Sequence, residues 1–233
     1  MNGAALELTD VSKDYRALRP LRIARLAVAP AEAVAILGLD QPAAEIFVNL
    51  VTGATLPDRG TVAAFGRSTA SISDSSDWLA FVDRFGIVSE RAVLLDALTV
   101  IQNLAMPFTV DIEPPPDHVR RQAESLAVSV DLPEPTWTVP VRDLDDAGRA
   151  RVRLGRALAL DPGLLLFEHA SARLSRRDAE AFGATARTAA AARRAAIVAI
   201  TGDEPFARTI ATRVLALNQA TGVLTERRRR YFF

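Results

Sequence analysis

Cysteine is absent from the 233-residue chain and lysine nearly so, Lys13 being the only one. The first absence excludes a disulfide framework and every cysteine-ligated metal site, and it fits a reducing compartment. The second leaves a single position able to offer a primary ammonium to a bound phosphate. No apolar run approaches the ~20 residues that cross a bilayer, so any membrane role is expected to come through a partner. Charge of one sign is not in excess either. The 28 basic residues balance the 28 acidic ones, so no global field draws the chain to nucleic acid or to an acidic membrane. Met1 leads into polar residues and a strand pattern, so no signal peptide is expected.

What is present is an alternation of strands and helices. Leu6 to Leu8 and Ala24 to Val28 read as short edge strands, and Ala33 to Leu37 as a buried parallel strand. Ala44 to Val51 has apolar residues at helical spacing and stops at Gly53. A strand at Thr61 to Phe65, a Ser/Asp-rich loop from Ser68 to Asp77 and a strand at Phe85 to Val88 follow. Between Glu90 and about Asp143 the texture becomes helical, broken by two proline clusters, and reads as an inserted helical subdomain. Alternation then resumes. Helices are expected at Asp146 to Leu160, Arg176 to Arg193 and Pro205 to Thr212, with strands at Leu164 to Phe167, Ala196 to Ile200 and Val214 to Leu217. Crossovers of this length imply a parallel sheet within one domain spanning 1–233. The terminal run Arg227 to Arg230 with Tyr-Phe-Phe is read as a solvated tail before any lipid or partner contact.

The stretch "AILGLDQPAAEIFVNLVTG" from Ala35 to Gly53 has the outline of a phosphate-binding loop, with a buried strand, a glycine turn and an apolar helix. Other landmarks are "LTDVSKDY" near the N-terminus, "GTVAAFG" at Gly60 to Gly66, "LTVIQNLAMPF" from Leu98, "RVRLGRALALDPGLLLF" from Arg151 and "TRVLALNQATGVL" from Thr212. In that order and spacing they resemble the nucleotide-binding subunit of ATP-binding-cassette (ABC) transporters, over nearly the whole chain. The resemblance implies an α/β fold of the P-loop NTPase type: a parallel core sheet, an N-terminal antiparallel β edge and a helical subdomain at about 90–145.

The same resemblance implies where nucleotide chemistry would sit. Tyr15 takes the place of the aromatic side chain that stacks on adenine, a role weighed evenly against simply covering the first strand. Against G-x-x-x-x-G-K-[ST], Gly38 matches the first glycine, while Ala43, Ala44 and Glu45 replace the second glycine, the lysine and the hydroxyl residue. Pro42 lacks an N–H that a phosphate nest would use. The signature motif is replaced by Leu144, Asp145, Asp146, Ala147 and Gly148. Glu90 aligns with the glutamine that links the nucleotide site to the membrane subunit, and a solvated loop residue is an equal reading of it. Glu168 takes the magnesium-associated aspartate, His169 the catalytic glutamate and Gly202 the switch histidine.

Asp145 and Asp146 are read first as helix caps, and His169 beside Glu168 falls below a metal ligand set. His118 is expected on an exposed helix without a role. Carboxylates at Asp40 and Glu45 would repel phosphate, each by about 1 kcal/mol in water or about 4 at an effective dielectric of 20. The missing lysine forfeits roughly 1.5–3 kcal/mol more. ATP and magnesium are therefore the implied cofactors, with weak binding expected. The expected partners are a membrane permease and a second cassette, as a homo- or heterodimer, with no nucleic acid. The expected location is the cytoplasmic face of the membrane, reached through that partner. The main functional expectation is a scaffold or regulatory subunit, a pseudo-ATPase. The alternatives are a divergent but active ATPase and an interaction module outside transport.

Overall fold

The computed structural model describes residues 3–227; the terminal basic and aromatic run from residue 228 on lies outside them. Two sheets organise the chain. The first is antiparallel, in the order β2-β1-β4-β5, and is built from β1 (Leu6–Lys13), β2 (Leu21–Val28), β4 (Arg59–Ala64) and the two-residue β5 (Arg67–Ser68). The second has the order β10-β9-β3-β8-β7-β6, from β3 (Ala33–Leu37), β6 (Phe85–Ser89), β7 (Leu164–Glu168), β8 (Ala196–Ile200), β9 (Arg213–Asn218) and β10 (Val223–Glu226). Its strands are parallel except for β10, which pairs antiparallel with β9.

Both faces of the larger sheet are covered, which is why its central strands are continuous apolar runs. Alternate residues serve different cores. Ala35, Leu165, Phe167, Ile197 and Ala199 pack on the helical side. Val34, Ile36, Leu164, Leu166, Val198 and Ile200 face the antiparallel sheet and α1 (Gln41–Val51).

The helical side is formed by α3 (Val100–Ala105), α4 (Asp117–Ser129), α5 (Asp146–Leu158), α6 (Arg176–Ala192) and α7 (Glu204–Ile210). Phe182 of α6 stacks on Phe206 of α7, with ring centroids 6.1 Å apart and planes 9° from parallel. Residues 90–145 contain α3, α4 and two 3₁₀ turns, as the helical texture of that segment suggests. Asn103, fully buried on α3, holds the entry loop by donating to the carbonyls of Leu95, Leu98 and Thr99 and accepting from Leu95 N–H.

Two expectations need correction. The N-terminal strands are longer than read, and β1 lies between β2 and β4 rather than at an edge. The Ser/Asp-rich stretch is not all loop: Asp74 accepts from Asp77 N–H and starts a helix, α2 (Ser75–Val82).

Candidate functional site

The turn between β3 and α1 is set by Gly38 and Asp40. Gly38 has φ +97°, and a Cβ there would lie 2.9 Å from the Leu217 carbonyl oxygen, so only glycine fits. Gln219 donates to the Gly38 carbonyl from the β9–β10 turn, fixing the loop from outside.

Asp40 is the N-cap of α1. Its Oδ1 accepts from Ala43 N–H at 2.9 Å, and its own carbonyl accepts from Ala44 N–H at 2.9 Å. Pro42 has no N–H to offer. Of the first-turn donors that would face an anion at this helix end, the Ala43 N–H is thus taken by the Asp40 carboxylate and that of Pro42 is missing. Ala43 and Ala44 are buried against the core, and Lys13 pairs with Asp58 at 2.8 Å.

Glu168 ends β7 with its side chain fully enclosed. One residue meets it that sequence reasoning missed, Arg91, in the loop after β6. Arg91 Nε lies 3.0 Å from Glu168 Oε1 and Nη2 2.6 Å from Oε2, while Nη1 lies 3.0 Å from Glu45 Oε1 on α1. Gln41 Nε2 also donates to Glu168 Oε1. The hydrogen bond and charge of Glu168, with Glu45 adding to them, hold the Arg91 guanidinium more firmly in its charged form. In the sequence Arg91 is one arginine among many. Its position directly after Glu90 was the only available signal.

Glu45 and Glu168 are hard oxygen donors of the kind magnesium takes, and the resemblance aligns both with magnesium-associated positions. The guanidinium already bridges them, and Glu168 accepts on both oxygens. The residues present do not fit a magnesium ion. Among the described residues no group of three or more His, Cys, Asp or Glu could hold any metal.

His169 follows with φ +45°, its N–H donating to Ile200 O at 2.9 Å and its buried Nε2 without a partner. Gly202 is exposed, with open space where a Cβ would stand. Tyr15 borders a cavity of about 300 Å³ with Leu39, Asp40, Ala43 and Gln219 and packs on the core beneath it. Burial, then the Asp40 charge, push its hydroxyl pKa up.

The remaining aligned positions lie around α5. Asp145 caps it, accepting from Gly148 N–H at 2.7 Å, and Leu144 packs on the helical core while Ala147 is buried. Asp146 lies 3.6 Å from Arg173, whose guanidinium is also 3.8 Å from Glu90. Arg153 approaches Glu90 at 3.7 Å from α5. Glu90 is therefore paired with arginines of two other segments, while its neighbour Arg91 holds the two carboxylates. His118 is exposed on α4.

No protein-family model matches the chain. The methionine import ATP-binding protein MetN of Brucella abortus is 29% identical over 222 residues, 95% of this chain and 58% of that protein. The lipoprotein-releasing system ATP-binding protein LolD of Pseudomonas fluorescens is 26% identical over 220 residues, covering 93% of this chain and 96% of that one. The chain thus spans little more than half of the MetN relatives and nearly all of LolD. A dimeric bacterial ABC transporter cassette superposes with a TM-score of 0.78 at 21% identity, covering 97% of this chain and 100% of that one. Among the described residues no helix is long and apolar enough to cross a membrane. With its parallel core, antiparallel β sheet and helical layer, the chain has the nucleotide-binding-domain fold of ABC transporters, and its sequence is similar over almost its whole length to their ATP-binding subunits.

Proposed function

We propose that the chain is the cassette subunit of an ABC transporter, docking on a membrane permease and facing a second cassette, and that it contributes little or no ATP hydrolysis of its own. The relatives' names, import and release ATP-binding proteins, support the transporter role. The pairing is supported by the likeness to solved cassette dimers, one of them a post-hydrolysis state bound to ADP and phosphate.

One observation carries the finer part of the reading: at the start of α1 the Asp40 carboxylate stands in the anion position and holds the N–H of Ala43, beside Pro42, which has none. A phosphate entering there would meet a carboxylate where it needs donors. In place of a catalytic carboxylate stands His169, with φ +45° and its Nε2 buried. The purified chain is expected to release phosphate from ATP no faster than a buffer blank, with magnesium present. Turnover at the rate of an ordinary cassette would overturn this.

The comparisons favour a second reading more than the first, because both relatives are named as ATP-binding proteins and one solved likeness is a post-hydrolysis state. On that reading the chain itself hydrolyses ATP, with Glu45, Glu168 and His169 in altered roles. Glu168→Gln or His169→Ala would then change the rate of phosphate release, and an unchanged rate removes that reading. A calorimetric titration with ATP, repeated on Tyr15→Ala, separates nucleotide binding from turnover.

A further inference from the structure

The contacts of Arg91 differ from those of a surface ion pair in three respects. The carboxylate it serves is fully enclosed, so that charge cannot be left to water. Both Glu168 oxygens are taken, Oε1 by Gln41 Nε2 and Arg91 Nε and Oε2 by Arg91 Nη2. The same guanidinium reaches Glu45, so one cation ties the end of β7 to α1. A charge that joins two carboxylates from separate elements, one of them buried, does what a divalent ion does between oxygen ligands.

We propose that Arg91 is a built-in cation standing in the place of a divalent metal ion, so that this site excludes magnesium and any nucleotide the chain binds is held without a metal bridge to Glu45 and Glu168. To enter, a divalent ion must break a forked, charge-assisted arrangement and push the guanidinium away from a carboxylate that has no solvent to fall back on. With Arg91 removed the balance reverses. The Glu45 and Glu168 carboxylates then face an unneutralised position, hard oxygen donors of the kind magnesium or manganese takes, with the Gln41 amide still donating to Glu168 Oε1. The inference concerns the same residues as the proposed function but stands apart from it, because metal binding is read without nucleotide or turnover.

The test is manganese binding to the full chain, followed by loss of the free-ion electron paramagnetic resonance signal and competed with magnesium. Wild type is expected to leave the signal of equimolar manganese unchanged. Arg91→Ala is expected to bind one manganese per chain, released by excess magnesium and abolished when Glu45→Gln is added. Thermal unfolding gives a second readout: magnesium chloride raises the Tm of Arg91→Ala but not of wild type, and sodium chloride of equal ionic strength does neither. Should Arg91→Ala fail to fold, Arg91→Gln, which keeps a donor towards Glu168, carries the same comparison. Manganese bound by the wild type through Glu45 and Glu168, or ignored alike by wild type and a folded Arg91 variant, overturns the proposal.

Discussion

Arg91 grips Glu168 in a fork, with Nε 3.0 Å from one carboxylate oxygen and Nη2 2.6 Å from the other, although the two residues are 77 positions apart in the chain. Glu168 is fully enclosed while the Arg91 side chain is 43% exposed, so the burden of losing the partner falls on the carboxylate. Arg91→Ala should lower stability by about 3 kcal/mol. For a chain of this size that is roughly 6–12 °C in Tm. The double variant Arg91→Ala/Glu168→Gln should recover part of it, because the stranded charge is then gone. Chemical denaturation of the four members of the cycle measures the coupling.

Asp40 is the N-cap of α1, so Asp40→Ala should cost about 1 kcal/mol while Asp40→Asn, which keeps an accepting oxygen, should cost a few tenths. Urea midpoints of the two variants check the order. Equal losses would mean that the negative charge, rather than the cap, is what α1 needs.

Hydrogen bonds from the Arg67 guanidinium, then the Ser73 N–H, and then the Arg67 charge push the Asp77 carboxyl down from 3.8 to about 2. Its folded pKa is thus below its unfolded one. The stabilisation is complete above the ordinary carboxylate range and disappears as pH falls from about 4 towards 2. Arg67→Gln should therefore be less stable than wild type near neutrality, with the gap narrowing through that acid window. Thermal unfolding of both proteins across it reads the effect. A gap that does not change with pH would assign the loss to packing.

Gly86 of β6 lies where a Cβ would come within 2.3 Å of the Ala157 carbonyl oxygen and 2.6 Å of Leu165 Cδ2. The Ala157 carbonyl belongs to the α5 backbone and cannot move aside cheaply. Gly86→Ala is expected to destabilise by about 1–3 kcal/mol through overpacking. Gly202→Ala, with open space around it, should be near neutral. Differential scanning fluorimetry of the pair distinguishes a close approach from a general intolerance of added methyl groups.

The parts of the fold legible in the sequence were those with an unambiguous burial signal. "AVAIL" and "AIVAI" have both faces covered, so β3 and β8 read out with the right ends. β1 was cut short for a physical reason. Asp10 has φ +50° and the β1–β4 register shifts between Thr9 and Ser12, which breaks the alternation after Leu8. α2 was missed because its start is polar, and β10 because none of its four residues is buried.

At the candidate site, the positions of Glu45 and Glu168 followed from the order of landmarks. Their junction did not, because it depends on a loop after β6 folding back onto two distant segments. Asp145 was legible as a cap because an acidic residue before an apolar helical pattern has a local cause. No local rule marks Arg91.

Glu90, Arg153, Arg173 and Asp146 form a chain of contacts 3.6–3.8 Å long, with Glu90, Arg173 and Asp146 between 35% and 65% exposed. Ion pairs of this kind contribute little each and weaken with salt over a screening length of about 8 Å. Arg153, only 11% exposed, also donates to Ala92 O at 3.3 Å, and Arg156 Nη1 donates to Val93 O at 2.6 Å, so α5 holds the loop after β6 by hydrogen bonds as well as by ion pairs. Arg91, one residue along from Glu90, is anchored to an enclosed carboxylate instead. Raising the salt concentration therefore loosens the Glu90 contacts while the Arg91 grip on the enclosed Glu168 stays closed.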